Sequence, residues 1–214
     1  MGDKATKKEL RRQRRLEENS QRAREQRRQG VLVWGGLGAI TLVTLVVVLQ
    51  AINPANQPGT FVRDQGNRHL SKADEPHIQY NSIPPTSGDH MPSLWQWGIS
   101  REQIPDPWQL HNLEDGGVIL QYDCPESCPE LEAQLTELAT QVLSDPSLVN
   151  PRTNSTHFIL APYSWIRAAP ASGGKPIALT AWTRIQYFDQ AEADAMMRFI
   201  RAYINVDHHV AGSG

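Results

Sequence analysis

Cysteine is almost missing from this chain of 214 residues: there are two, Cys124 and Cys128, with Pro-Glu-Ser between them. A C-x3-C pair is neither a CxxC nor a closed zinc module, and no HxxxH accompanies it. A GxSxG elbow and a phosphate-cradling glycine loop are missing too. Nucleophilic serine and nucleotide-phosphate chemistry are thus left without their usual signatures. Charge is absent from residues 31–52, VLVWGGLGAITLVTLVVVLQAI. As a helix, such a run of about 20 residues reaches about 30 Å, the thickness of a bilayer's hydrocarbon core.

What surrounds that run gives it an orientation. Residues 1–30 carry eleven Lys/Arg against five acids, a net of +6. Residues 53–214 carry ten against eighteen, a net of −8, and all seven histidines. A secretory signal has an apolar region of about 7–15 residues behind a short basic lead, so a retained anchor fits better here. The positive-inside rule then places 1–30 in the cytoplasm and the remainder outside, periplasmic or extracellular. The basic lead has no interleaved aromatics and no groove-reading motif, so no nucleic acid is expected as partner. Its natural partner is the inner leaflet of the membrane.

The outer part predicts an α+β fold, a small domain with a mixed sheet and helices packed on it. Residues 53–65 have linker composition, 66–206 form the exterior domain, and 207–214 are a tail. Between His69 and Pro107 the pattern is irregular, and turns held by Trp95 and Trp97 are expected. Residues 117–123 and 157–163 predict strands, and 176–188 a third, longer one. Leu131, Leu135, Leu138 and Val142 share a face of a helix over 129–145 that opens on Pro129 and stops at Pro146. A last helix starts near Asp189 with Glu192 three residues on, burying Met196, Phe199, Ile200 and Tyr203. The helix between the first two strands implies parallel pairing, with the helices on one side of the sheet.

Chemistry-bearing side chains gather on two turn-rich stretches. In YNSIPPTSGDHM, Pro84, Pro85, Thr86, Ser87 and Gly88 form a stiff turn that delivers His90 and Met91. In LHNLEDGGVILQYDCPESC, His111 and Glu114 precede a sharp Gly116-Gly117 turn, and Cys124 and Cys128 follow. Imidazole, thioether and thiolate together suit soft or borderline metals, copper first and zinc second. The candidate ligand set is His90, His111, Glu114, Met91, Cys124 and Cys128, with His69 as a further donor. The cysteines admit three readings: a structural disulfide, a ligand pair, or an exchangeable redox pair at a helix N-terminus. No catalytic residue is assigned. His111 with Glu114 would serve a hydrolase, but a carboxylate beside a histidine also ties any turn. His157 is expected to pack, and His208 and His209 to lie on the tail. A competing reading makes the domain a partner-binding module of an envelope complex, with His90 and His111 tying loops to Glu114 and Asp89.

YNSIPPTSGDH, WGIS, LHNLEDGGVILQYD, ILAPY and PIALTAWTR, in that order, resemble the bacterial family catalogued as domain of unknown function 3105, over residues 66–206. That resemblance implies an N-terminal membrane anchor and no established activity. The family pattern PPTSG-x-H is met by Pro84 to Gly88 and His90. Its H-x-L-E-H-G is met by His111, Leu113, Glu114 and Gly116, with Asp115 where a second histidine is usual. The departure replaces one imidazole by a carboxylate.

Overall fold

The computed structural model describes residues 34, 36–37, 39–49 and 57–209. They belong to two units, Met1–Gln57 and Pro58–Gly214. In the first, residues 39–49 are helical, and Thr41 and Thr44 donate their hydroxyls to the carbonyls of Leu37 and Ile40 one turn back. Among the described residues, no helix is long and apolar enough to cross a membrane. Parts of the expected span 31–52, the basic segment 1–30 and residues 210–214 lie outside them.

In the second unit, the strands are Thr60–Phe61 (β1), Gly98–Ile99 (β2), Val118–Tyr122 (β3), Val149–Asn150 (β4), Ser155–Thr156 (β5), Phe158–Pro162 (β6), Ile177–Ala181 (β7) and Arg184–Phe188 (β8). The helices are Asp106–Glu114 (α1), Pro129–Ser144 (α2) and Ala193–Tyr203 (α3). Six strands form one mixed sheet in the order β1-β8-β7-β3-β6-β2, and β4 and β5 form a separate ribbon. The α2 crossover puts β6 parallel to β3, in register Val118 with Phe158, as the sequence predicts. β7 runs antiparallel on the other side of β3.

The strands alternate between two cores. Val118, Leu120, Phe158, Leu160 and Leu179 face α2 and α3, meeting Leu135, Leu138, Val142, Met196, Phe199 and Ile200. Ile119, Ile159 and Ala161 face the opposite way, against Ile104, Leu110 and Leu113 of the α1 region and Trp182. Both faces are covered, which is why β3 and β6 are apolar without alternation. Helices therefore pack on both sides of the sheet, not on one.

Four further expectations need correction. Residues 176–188 are a hairpin, turning at Trp182-Thr183 with Thr183 at φ 58°. The long apolar pattern conceals that turn because Trp182 is itself buried in the second core. The last helix begins at Ala193 rather than near Asp189. Thr60–Phe61, inside the stretch with linker composition, pair with β8 as an edge strand. Helix α1 starts inside the stretch expected as turns and continues through residues to which the sequence pattern assigns no element, and it buries Gln109, Asn112 and Glu114 beside Leu110 and Leu113. A helix whose inner face is half polar shows no apolar stripe for periodicity to detect.

Candidate metal centre

The Pro-Pro-Thr-Ser-Gly turn is clamped before it reaches His90. Thr86 accepts from the Thr183 N–H at the β7–β8 turn (3.0 Å), and Ser87 Oγ accepts from the Gln65 N–H (3.0 Å). Pro84, Pro85, Thr86 and Ser87 are buried, and the Ile83–Pro84 peptide is cis. Gly88 sits at φ 124° with the Tyr80 ring 3.1 Å from where a Cβ would stand, so no other residue fits easily. Its carbonyl accepts from Nδ1 of His90 at 2.8 Å. The His90 side chain is fully buried.

His69 is positioned through the same residue. His69 and His90 form an isolated parallel bridge, with Leu70 N–H on the His90 carbonyl (2.7 Å) and His90 N–H on the Arg68 carbonyl (3.0 Å). Arg68 spans the two strands outside the site, pairing with Asp89 (2.7 Å) and Glu75 (2.6 Å). Met91 donates its backbone N–H to the Pro107 carbonyl (2.8 Å), tying the turn to the start of α1.

Helix α1 supplies the other half. His111 and Glu114, three residues apart, share a face of its last turn. The helix ends in Gly116, at φ 79°, and Gly117, whose N–H donates to the Asn112 carbonyl (2.8 Å). Asn112 also clamps Trp95 through both its main-chain groups, which fixes the rotation of α1 about its axis.

A third contribution comes from the segment after α3. Asn205 N–H donates to the Gly116 carbonyl (2.7 Å) and His208 N–H to the Glu114 carbonyl (2.9 Å). This lays His209 over Glu114. A Cβ on Gly116 would stand 2.8 Å from the Val206 nitrogen, so the close approach requires glycine there.

The outcome is one carboxylate oxygen ringed by imidazoles. Glu114 Oε2 lies 3.0 Å from His90 Nε2, 3.6 Å from His69 Nε2, 3.6 Å from His111 Nδ1 and 3.5 Å from His209 Nε2. The ligand atoms of His69, His90, His111 and Glu114 all lie within 4.8 Å of one another. Donors around an ion at about 2.1 Å in tetrahedral geometry stand about 3.4 Å apart, so the spacing suits first-row metal bonds. Glu114 is 1% exposed, and its other oxygen accepts from Asn67 Nδ2 at 2.8 Å.

Hydrogen bonding defines what the site can accept. A carbonyl only accepts, so His90 Nδ1 must carry the proton it gives to Gly88. Nε2 then meets an anionic oxygen at 3.0 Å, an arrangement that is attractive only with a cation, proton or metal, between them. His111 Nδ1 is a buried nitrogen without a hydrogen-bond partner. Burial, then the neighbouring His90, push the His111 pKa down to about 4, so its nitrogen offers a lone pair at neutral pH. Burial would raise Glu114, but Asn67, His90 and His209 outweigh it and hold the carboxylate below its ordinary range. The deprotonated acid and the neutral imidazole are the forms that bind metals.

His90, His111 and Glu114 thus come together as the sequence suggested, joined by His69. Cys124 and Cys128 do not join them: they are bonded to each other, close to Glu132. Their sulfurs are used at the β3–α2 corner, where three intervening residues permit closure. Asp89, expected to tie His90, pairs instead with Arg68. His157 packs as expected, stacked on Trp97 at 4.5 Å, with Nδ1 on the Asp115 carbonyl and Nε2 on Thr153. The sequence places His209 on the tail and gives it no part in a site. The one sequence signal for it is a histidine doublet following an amphipathic helix.

Among proteins of known sequence, a family model described as a protein of unknown function (DUF3105) matches residues 71–212. No curated protein and no solved structure matches.

Proposed function

The chain belongs to that family of unknown function, and we propose that its folded domain is a metal-binding module held at a membrane. The observation that carries the metal reading is the convergence of imidazole nitrogens on the buried Glu114 Oε2, with His90 Nδ1 already committed to Gly88. The donor set of the centre is imidazole and carboxylate. It suits a divalent ion such as zinc or copper(II) better than copper(I), because the thiolates that would favour copper(I) are spent in a disulfide. Residues 31–52 support an anchor by length and lack of charge, and the basic lead supports a cytoplasmic N-terminus. An exterior domain is also where a disulfide persists.

The test uses the purified full chain, stripped with chelator and supplied with stoichiometric zinc or copper(II). One ion per chain is expected, abolished in the His90→Ala/His111→Ala double variant, with circular dichroism checking its fold. A wild-type chain that stays metal-free under that supply refutes the reading.

A further inference from the structure

We infer that His209 is an additional ligand of this centre, so that the bound ion fastens the segment after α3 to the α1–β3 corner. The inference rests on the metal reading above and adds to it a donor from a separate part of the chain.

Three independent features support it. First, His209 Nε2 stands 3.5 Å from Glu114 Oε2, in the same 3.0–3.6 Å shell as the nitrogens of His69, His90 and His111. Second, its ring is set as metal-binding histidines are set. Nδ1 lies 2.8 Å from Asp207 Oδ1, and the His209 backbone N–H donates to the same oxygen at 3.0 Å. A carboxylate on Nδ1 fixes the proton there and leaves Nε2 as the free donor, as Gly88 does for His90. Third, the main chain is aimed independently of any ion. Asn205 and His208 bond the Gly116 and Glu114 carbonyls, Asn205 Nδ2 donates to Leu148, and the His208 ring stacks on Trp182 with centroids 6.2 Å apart. His209 itself is 37% exposed, so it can leave the centre without unpacking the core. A centre closed by such a ligand couples ion occupancy to the attachment of the segment, and gives an incoming molecule one replaceable position.

The test again uses the full chain. For His209→Ala, zinc stoichiometry should stay at one ion per chain while affinity falls by more than the about 10–100-fold typical when only a histidine's supporting partner is lost. The cobalt(II) visible spectrum should change with that substitution and return on adding free imidazole. Asp207→Ala, which keeps the imidazole and removes its orienting carboxylate, should weaken zinc binding less. In hydrogen exchange, zinc should slow the amides of Asn205 and His208 in the wild type and not in His209→Ala. Unchanged affinity and cobalt spectrum in His209→Ala would overturn the inference while leaving a three-histidine centre standing. Absence of zinc binding in the wild type would overturn both.

Discussion

Glu114→Gln separates a metal centre from a mere hydrogen-bonded tie. In the metal-free protein the amide fits the existing partners. Its oxygen can accept from Asn67 Nδ2, and its NH2 can donate to His90 Nε2, which stands 3.0 Å from the replaced oxygen. The hydrogen bonds are kept and the carboxylate's buried charge is gone, so stability without metal should change by no more than about 1 kcal/mol. With metal the two proteins should part. Ligand at 100 times its dissociation constant stabilises the native state by about 2.7 kcal/mol. For a domain of about 150 residues that is a rise in melting temperature of about 5–10 °C. A variant binding about 100-fold more weakly gains only about 0.4 kcal/mol at the same free zinc, or about 1 °C. The assay is thermal unfolding of wild type and variant, each with chelator and with buffered zinc. A variant that keeps the full zinc-induced rise would show that Glu114 is no ligand. A large loss of stability without zinc would show that the carboxylate's charge, not its shape, holds the metal-free core.

Other substitutions examine neighbouring parts of the argument. Gly116→Ala, which touches none of the imidazoles, should weaken zinc binding because its Cβ would displace Asn205 and Val206, at 2.8–2.9 Å; titration calorimetry measures this, and unchanged affinity would refute the role given to the close approach. Replacing Cys124 and Cys128 by serine should cost about 2 kcal/mol in urea unfolding, from the short loop they close, yet leave zinc affinity unaltered. Leu135→Ala should cost about 3 kcal/mol, as expected for a fully buried leucine. Burial raises the Asp106 pKa against the bonds it accepts from Tyr163 and Gln109, so its neutral form is favoured on folding. The corresponding stability is present below the ordinary carboxyl range and is lost as pH rises through the raised value. Asp106→Asn should therefore gain stability relative to wild type between about pH 4 and pH 7; an equal difference at both pH values would contradict this.

Strands β3 and β6 and helix α2 were legible because burial dominates their choice of residue. Leu135, Leu138 and Val142 declare a face, and Phe158 to Ala161 are apolar throughout. The pairing of His90 with His111 and Glu114 was legible because stiff turns precede or follow each of them. Helix α1 was not, since Asn112 and Glu114 are buried for what they bond rather than for apolar area. His69 was legible only as a further donor, without its means of placement, and the inclusion of His209 was not legible at all. The first depends on an isolated bridge to His90 and the second on main-chain bonds to Glu114 and Gly116, and neither long-range pairing leaves a local pattern. The cysteines misled by proximity in sequence: β3 starts beside the imidazoles and carries the chain away from them before Cys124.

The four histidines around Glu114 enter at positions 69, 90, 111 and 209. An ion held by them closes loops of up to 140 residues, from His69 to His209. Because closing a loop costs more entropy the longer it is, such a cross-link removes most freedom from the unfolded chain at its widest span. It also means that the full donor set, His209 included, needs both ends of the domain in place. On the metal reading, a complete set of donors would report that the segment after α3 has docked on the α1–β3 corner.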